Sequence, residues 1–99
     1  EREGVYMPNV FSPNGDGSND VFYVQSDNSV SIVKQFYVFS RWGEAVFSAS
    51  DILPNNPGLG WDGTCRGELL NSGVYVYYVE AELINGAKVI IKGDVLLIR

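Results

Sequence analysis

Apolar and polar residues alternate with a period of two along most of this chain, and no window shows the period of an amphipathic helix. The clearest example is the pair of segments 74–84 and 88–98, in which nearly every second residue is apolar. Between them lies Asn85-Gly86, a dipeptide that favours the left-handed backbone of a type I′ turn. The pattern therefore predicts a long β-hairpin in the second half of the chain.

The first half predicts shorter strands separated by turn residues. Alternating or β-prone stretches are found at residues 5–11, which Pro8 interrupts, and at 21–24, 31–40 and 45–47. Residues 48–60 contain two prolines and predict a long connection that ends at Trp61. We expect Trp61 to be an aromatic anchor of the core and Trp42, beside its hairpin turn, to be only partly covered. About seven strands without a helix predict an antiparallel β-sandwich. Its expected inner face comprises Phe36, Val38, Trp61, Tyr75, Tyr77, Val79, Val89, Ile91 and Val95.

Composition narrows the function classes. The 99 residues suffice for one domain, and 45% of them are hydrophobic, which favours a packed core and excludes a disordered tail. Twelve acidic and seven basic residues give a net charge of −5, so nucleic acid is not an expected partner, and the apolar runs are too short to insert into a membrane. Without His and with Cys65 alone, the chain lacks a disulfide scaffold, a His/Cys zinc site and His-based catalysis. We therefore expect a protein that is not an enzyme.

One loop carries a candidate metal site. Asn14, Asp16, Ser18 and Asp20 occupy alternate positions, and the glycines among them permit tight curvature. Calcium takes six to eight oxygen ligands in loose geometry, so these side chains could hold calcium, with Asp62 as a further ligand. The alternative is an Asx-turn loop whose side chains cap their own backbone amides.

Two sets of outward-facing residues are candidate binding surfaces. Alternation places Tyr37 and Phe39 opposite the predicted core, and it does the same for Leu96 and Ile98 in the final strand. Arg99 follows and could add a charge contact to a partner, the alternative being ordinary solvation at a frayed end. We expect Leu96, Ile98 and Arg99 to take part in partner recognition, with the Tyr37 and Phe39 face as the next choice.

Five motifs in order make the sequence recognisable. They are PNVFSPNGDGSND at 8–20, RWGEAVF at 41–47, WDGT at 61–64, SGVYVY at 72–77 and GDVLLIR at 93–99. Together they span nearly the whole chain and closely resemble the gliding-motility-associated C-terminal domain, the type B sorting domain of type IX secretion. The WDGT and SGVYVY motifs are also similar to the Ig-like domain of the flagellar hook-capping protein, which implies an Ig-like sandwich.

The resemblance implies a non-catalytic module that directs an attached cargo protein across the outer membrane to the cell surface or the medium. Its implied partners are the type IX translocon and an outer-membrane β-barrel accessory protein. Because the chain starts at Glu1 rather than Met, residues 1–99 are expected to be a single C-terminal sorting domain excised from a larger secreted or surface protein. The alternative function is a calcium-dependent adhesion or carbohydrate-binding β-sandwich, and a chain end at Arg99 favours sorting over it.

Overall fold

The computed structural model describes residues 4–13 and 20–99. Within them the chain forms nine β-strands, one turn of 3₁₀ helix at Pro57–Leu59 and no α-helix. The strands are β1 (Val5–Tyr6), β2 (Val10–Phe11), β3 (Gln25–Ser26), β4 (Val30–Phe39), β5 (Ala45–Ile52), β6 (Thr64–Cys65), β7 (Glu68–Leu69), β8 (Gly73–Leu83) and β9 (Lys88–Leu97).

A five-stranded sheet in the order β2-β9-β8-β4-β5 forms the main layer. Its central pairings, β9 with β8, β8 with β4 and β4 with β5, are antiparallel, whereas the short β2 runs parallel to β9. Two small antiparallel ladders, β1 with β3 and β6 with β7, complete the strand pairing. The predicted all-β sandwich is confirmed, with the β2–β9 pair as the one parallel exception among these pairings.

The core lies between the inner face of the main sheet and the short elements that cross it. Trp61 is 1% exposed, which confirms it as a core anchor, and its ring centre lies 5.3 Å from that of Phe11 and 5.1 Å from that of Tyr75. Phe22 pairs with Trp61 through two main-chain hydrogen bonds of 2.8 Å, and its ring contacts Tyr77. The second layer is thus fixed to the sheet mainly by aromatic packing.

The expected inner face is buried except for Val89, which is only partly covered because β9 lies near the edge of the sheet. Several core residues were not among those expected. These are Val5, Phe11, Phe22 and Val24 from the crossing elements and Val30, Val33 and Val46 from the main sheet. Residues 5–11 form two strands in different sheets, because the chain passes from one layer to the other around Pro8.

The predicted connection at 48–60 is wrong in its first part, because β5 continues to Ile52. Ser48 pairs with Tyr37 and Ser50 pairs with Gln35, so the main chain keeps its ladder although these side chains are small and polar. β5 is an edge strand, which needs only one buried face and one hydrogen-bonded neighbour. It can therefore continue through residues whose side chains alternate only weakly. The connection proper therefore begins at Leu53.

The β8–β9 turn also differs from the prediction. The N–H of Gly86 donates to the carbonyl of Leu83 at 2.9 Å, which makes Ile84 and Asn85 the central residues of the turn. Neither has a positive φ, whereas Gly86 has φ of 89°. This is the arrangement of a type I turn followed by a left-handed glycine, and the type I′ prediction is wrong. The extra loop residue closes the hairpin through Leu83 and Ala87.

Candidate functional site

The face of the main sheet opposite the core carries a continuous group of apolar side chains. Cross-strand partners share a face, so the register places Leu96 beside Val74, and Val76 beside Phe39. Two further partners, Tyr78 and Tyr37, continue the row, and parallel pairing adds Val10 next to Leu96. We call this group the outer apolar patch: Val10, Tyr37, Phe39, Val74, Val76, Tyr78 and Leu96.

The patch is accessible to a partner. Val10, Val74, Val76 and Leu96 are 38–45% exposed. Contiguous apolar surface of this kind marks interaction sites on small domains. Ile98 lies directly after the end of β9 and is 45% exposed. The patch therefore includes one predicted recognition residue and borders another.

The sequence predicts two alternative recognition surfaces, one with Leu96 and Ile98 and the other with Tyr37 and Phe39. The structure places Leu96, Tyr37 and Phe39 on one surface, because β8 lies between β9 and β4 and links them through its own outward residues. Val74 and Val76 provide that link and were not singled out from the sequence. The sequence signal that could have identified them is their alternation with the inward-facing Tyr75 and Tyr77.

Trp42 lies beyond one end of the patch, in the turn between β4 and β5. Its side chain is 84% exposed, far more than the partial cover that its position predicted. The hydroxyl of Ser40 accepts the main-chain N–H groups of Trp42 and Glu44, both at 3.2 Å, and so holds the turn. A groove of about 270 Å³ separates this turn from the start of β8, and Trp42 and Val74 both line it.

The aromatic part of the patch is packed side by side. The ring centre of Tyr37 lies 6.0 Å from that of Phe39 and 6.1 Å from that of Tyr78. The hydroxyl of Tyr78 donates to Glu80 at 3.3 Å. Loss of hydration and the neighbouring Glu80 carboxylate raise the pKa of the Tyr78 hydroxyl. Tyr78 thus stays protonated at neutral pH and contributes a neutral surface.

Arg99 is anchored rather than frayed. Its N–H donates to the hydroxyl of Ser72 at 2.9 Å, and its guanidinium donates to the carbonyls of Leu70 and Gly63. Gly63 has φ of 85°, and a Cβ there would lie 2.9 Å from the guanidinium, so glycine leaves room for this contact. These bonds attach the end of β9 to the β6–β7 hairpin and limit the movement of Ile98.

The candidate calcium loop lies mostly outside the described residues, which contain Asp20 but not Asn14, Asp16 or Ser18. Asp62, the possible further ligand, accepts the main-chain N–H of Thr64 at 3.1 Å and its hydroxyl at 2.6 Å. That is the turn-capping role typical of an Asp two residues before its donor. In the ranges 4–13 and 20–99, no three His, Cys, Asp or Glu residues are grouped closely enough to hold a metal.

The described part of the chain contains no helix with the length and apolar character needed to cross a membrane. A family model described as CHU_C type IX secretion signal domain matches residues 5–97. The matched segment runs from the first residue of β1 to the last residue of β9 and so covers every strand described above. No curated protein matches the sequence.

Proposed function

Because this chain belongs to the CHU_C type IX secretion signal domain family, we propose that it directs an attached cargo protein across the outer membrane to the cell surface or the medium. The observation that carries this proposal is the family match over residues 5–97, which includes the whole described fold. The module acts by being bound and not by chemical catalysis. The absence of His from the sequence and the lack of a recognisable activated nucleophile support this view.

The partners in this proposal are the type IX translocon and an outer-membrane β-barrel accessory protein. The outer apolar patch supports a recognition role, because it joins aliphatic and aromatic side chains on one accessible surface. Aromatic residues are enriched where proteins bind each other, and burial of exposed apolar area favours association. Leu96 lies in the patch and Ile98 borders it, whereas the guanidinium of Arg99 is bound to the carbonyls of Gly63 and Leu70.

The rigidity of the patch supports the same role. Its strands are held by the continuous β8–β9 register, and Arg99 secures the end of β9 through three hydrogen bonds. A surface that is already ordered loses little conformational entropy when a partner binds. The module can therefore be recognised through a modest area without folding on contact.

The test is a fusion of residues 1–99 to the C-terminus of a periplasm-directed reporter, expressed in a host that has type IX secretion. We expect the reporter at the cell surface or in the medium, measured by protease accessibility of intact cells and by immunoblotting of the medium. The reporter without the domain, and the fusion in a host that lacks the translocon, should both remain periplasmic. A folded fusion that stays in the periplasm of the competent host would overturn the proposal and favour the adhesion or carbohydrate-binding alternative.

A further inference from the structure

One long edge of the main sheet has no partner among the described residues. β9 pairs with β8 along its whole length, but on its other side β2 pairs only with Leu96 and Leu97. The N–H of Leu96 donates to Asn9, and so it points away from β8. In an antiparallel pair the hydrogen-bonding direction alternates from residue to residue. Since the β8–β9 register has no shift, the N–H and C=O groups of Ile90, Lys92 and Asp94 also point to this free edge.

The opposite edge of the sheet is less suited to pairing. β5 carries a register shift opposite Val38 and Phe39, and Asp51 has φ of 54°, outside the extended region. Bulges and irregular residues are common devices that prevent an edge strand from pairing with another chain. β9 has neither device, and its free part, residues 88–94, pairs with β8 at every residue without a register shift. At about 3.3 Å per residue, it offers an edge of roughly 20 Å.

The side chains along this edge indicate the chemistry of a partner. On the outer face Lys88, Ile90, Lys92 and Asp94 follow one another at alternate positions, and Ile90 is 46% exposed. The ammonium of Lys88 lies 3.7 Å from Glu80 but its side chain is 65% exposed, so it can still face another carboxylate. An added strand would gain from acidic residues across from the two lysines and an apolar residue across from Ile90.

The same lysines disfavour a second copy of this chain. In antiparallel self-pairing centred on Ile90, Lys88 of one copy would face Lys92 of the other, and like charges directly opposite each other destabilise a sheet. In the register centred on Ile91, Lys88 would face Asp94, but Ile90 would face Lys92 and so would lack an apolar partner. A different polypeptide, with acidic residues across from both lysines and an apolar residue across from Ile90, matches these three positions better than a second copy does in either register.

We propose that the free edge of β9 is a strand-addition site for an extended acidic segment of another protein. The segment alternates acidic and apolar residues on the face that meets Lys88, Ile90 and Lys92. Its main chain completes the hydrogen bonds of the outward N–H and C=O groups. This site adjoins the outer apolar patch, since Lys92 is the cross-strand neighbour of Tyr78, but its test does not depend on secretion.

The test uses the purified domain and a capped synthetic peptide, Lys-Thr-Glu-Thr-Val-Thr-Glu, written for antiparallel pairing with Lys at the Asp94 position. In the free protein we expect fast hydrogen exchange at the amides of Ile90, Lys92 and Asp94. With the peptide at millimolar concentration, the exchange of these amides should slow at least tenfold. The amides of Val89, Ile91 and Gly93 already bond to β8 and should change little.

Two controls separate strand addition from loose charge attraction. N-methylation of the central Glu and Val of the peptide removes donors that face β9 and should abolish binding, whereas N-methylation of its Thr residues should not. Lys92→Glu should weaken binding about tenfold. Lys34→Glu makes the same charge change on the interior strand β4 and should leave the affinity within twofold. Circular dichroism and the melting temperature verify that both variants fold.

Three results would overturn the proposal. Slow exchange at Ile90, Lys92 and Asp94 in the free monomer would show that another part of the chain occupies the edge. Slowing that depends on protein concentration, with a parallel increase in mass by sedimentation, would assign the edge to a second copy. Peptide binding that leaves the three amides unprotected, or no binding at millimolar peptide, would exclude strand addition of an acidic segment.

Discussion

The two tryptophans show how local contacts decide the role of a residue. Each lies next to turn residues in the sequence. Trp61 is nevertheless buried, whereas Trp42 is the most exposed large hydrophobic side chain among the described residues. Trp61 has a place for each part of its side chain: the ring packs on Phe11 and Tyr75, and the indole N–H donates to the carbonyl of Thr64 at 2.9 Å. The Trp42 ring, by contrast, has the Arg41 guanidinium 5.9 Å from its centre and is otherwise mostly exposed to solvent.

Truncation should therefore affect the two tryptophans very differently. We expect Trp61→Ala to lower the free energy of unfolding by about 3–5 kcal/mol, because it removes a large aromatic side chain from the core. Trp42→Ala should change it by less than about 0.5 kcal/mol, as for other exposed positions. Urea denaturation followed by circular dichroism measures both. Near-native stability of the Trp61→Ala protein would contradict the central place of this ring in the core.

At the level of elements, the end of β9 and the β6–β7 hairpin stabilise each other. The guanidinium of Arg99 binds two carbonyls on either side of that hairpin, at Gly63 and Leu70. The hairpin has only two residue pairs of its own, and its turn contains Arg66 and Gly67, both with positive φ. So short a ladder depends on such external contacts.

Arg99→Lys tests this dependence. Lysine keeps the charge but cannot bridge two carbonyls with a planar fork, so we expect a loss of about 1 kcal/mol and faster amide exchange in β6 and β7. The matched control is Arg66→Lys, an equivalent change in the exposed turn of the same hairpin, which should alter neither quantity. Unchanged exchange in the Arg99→Lys protein would mean that the hairpin holds without the anchor.

The sequence predicted the strands that have one buried apolar face and one solvated face. The strands 31–40, 74–84 and 88–98 alternate strongly, because one face is buried and the other is solvated, and all three are present with small changes at their ends. The far half of β5 was missed because its pairing is carried by the main chain. The strands β6 and β7 were missed because each has only two residues, too few to show a period.

The candidate site could be predicted only in part. Alternation along a single strand shows that Leu96 and Phe39 each face outward, but it cannot show which strands are neighbours. The strand order places β8 between β9 and β4, and only this order makes the two groups one surface. The anchor of Arg99 likewise joins residues that lie far apart in the sequence, and no local pattern reports it.

At the scale of the whole molecule, recognition and stability can be separated by mutation. Leu96→Ser combined with Ile98→Ser changes two outward residues, so the fold should remain while export of the reporter fusion falls at least severalfold. Val95→Ala is the adjacent inward control, because Val95 is fully buried and its truncation should act through a lower melting temperature. Export and melting temperature are measured for each. Full export of a folded double variant would exclude the β9 end of the patch as the recognition surface and favour the part formed by Tyr37 and Phe39.

The parallel pairing of β2 with β9 has a consequence for the order of events during synthesis. It joins residues more than eighty positions apart, and β8 has its full-length neighbour only once β9 is present. Such distant contacts slow folding, since the chain must close a large loop before they contribute stability. A polypeptide that stops before Leu96 loses the β2–β9 pairing, the last two pairs of the β8–β9 ladder and part of the outer apolar patch. For the proposed sorting role, only a chain synthesised through β9 presents the complete outer apolar patch.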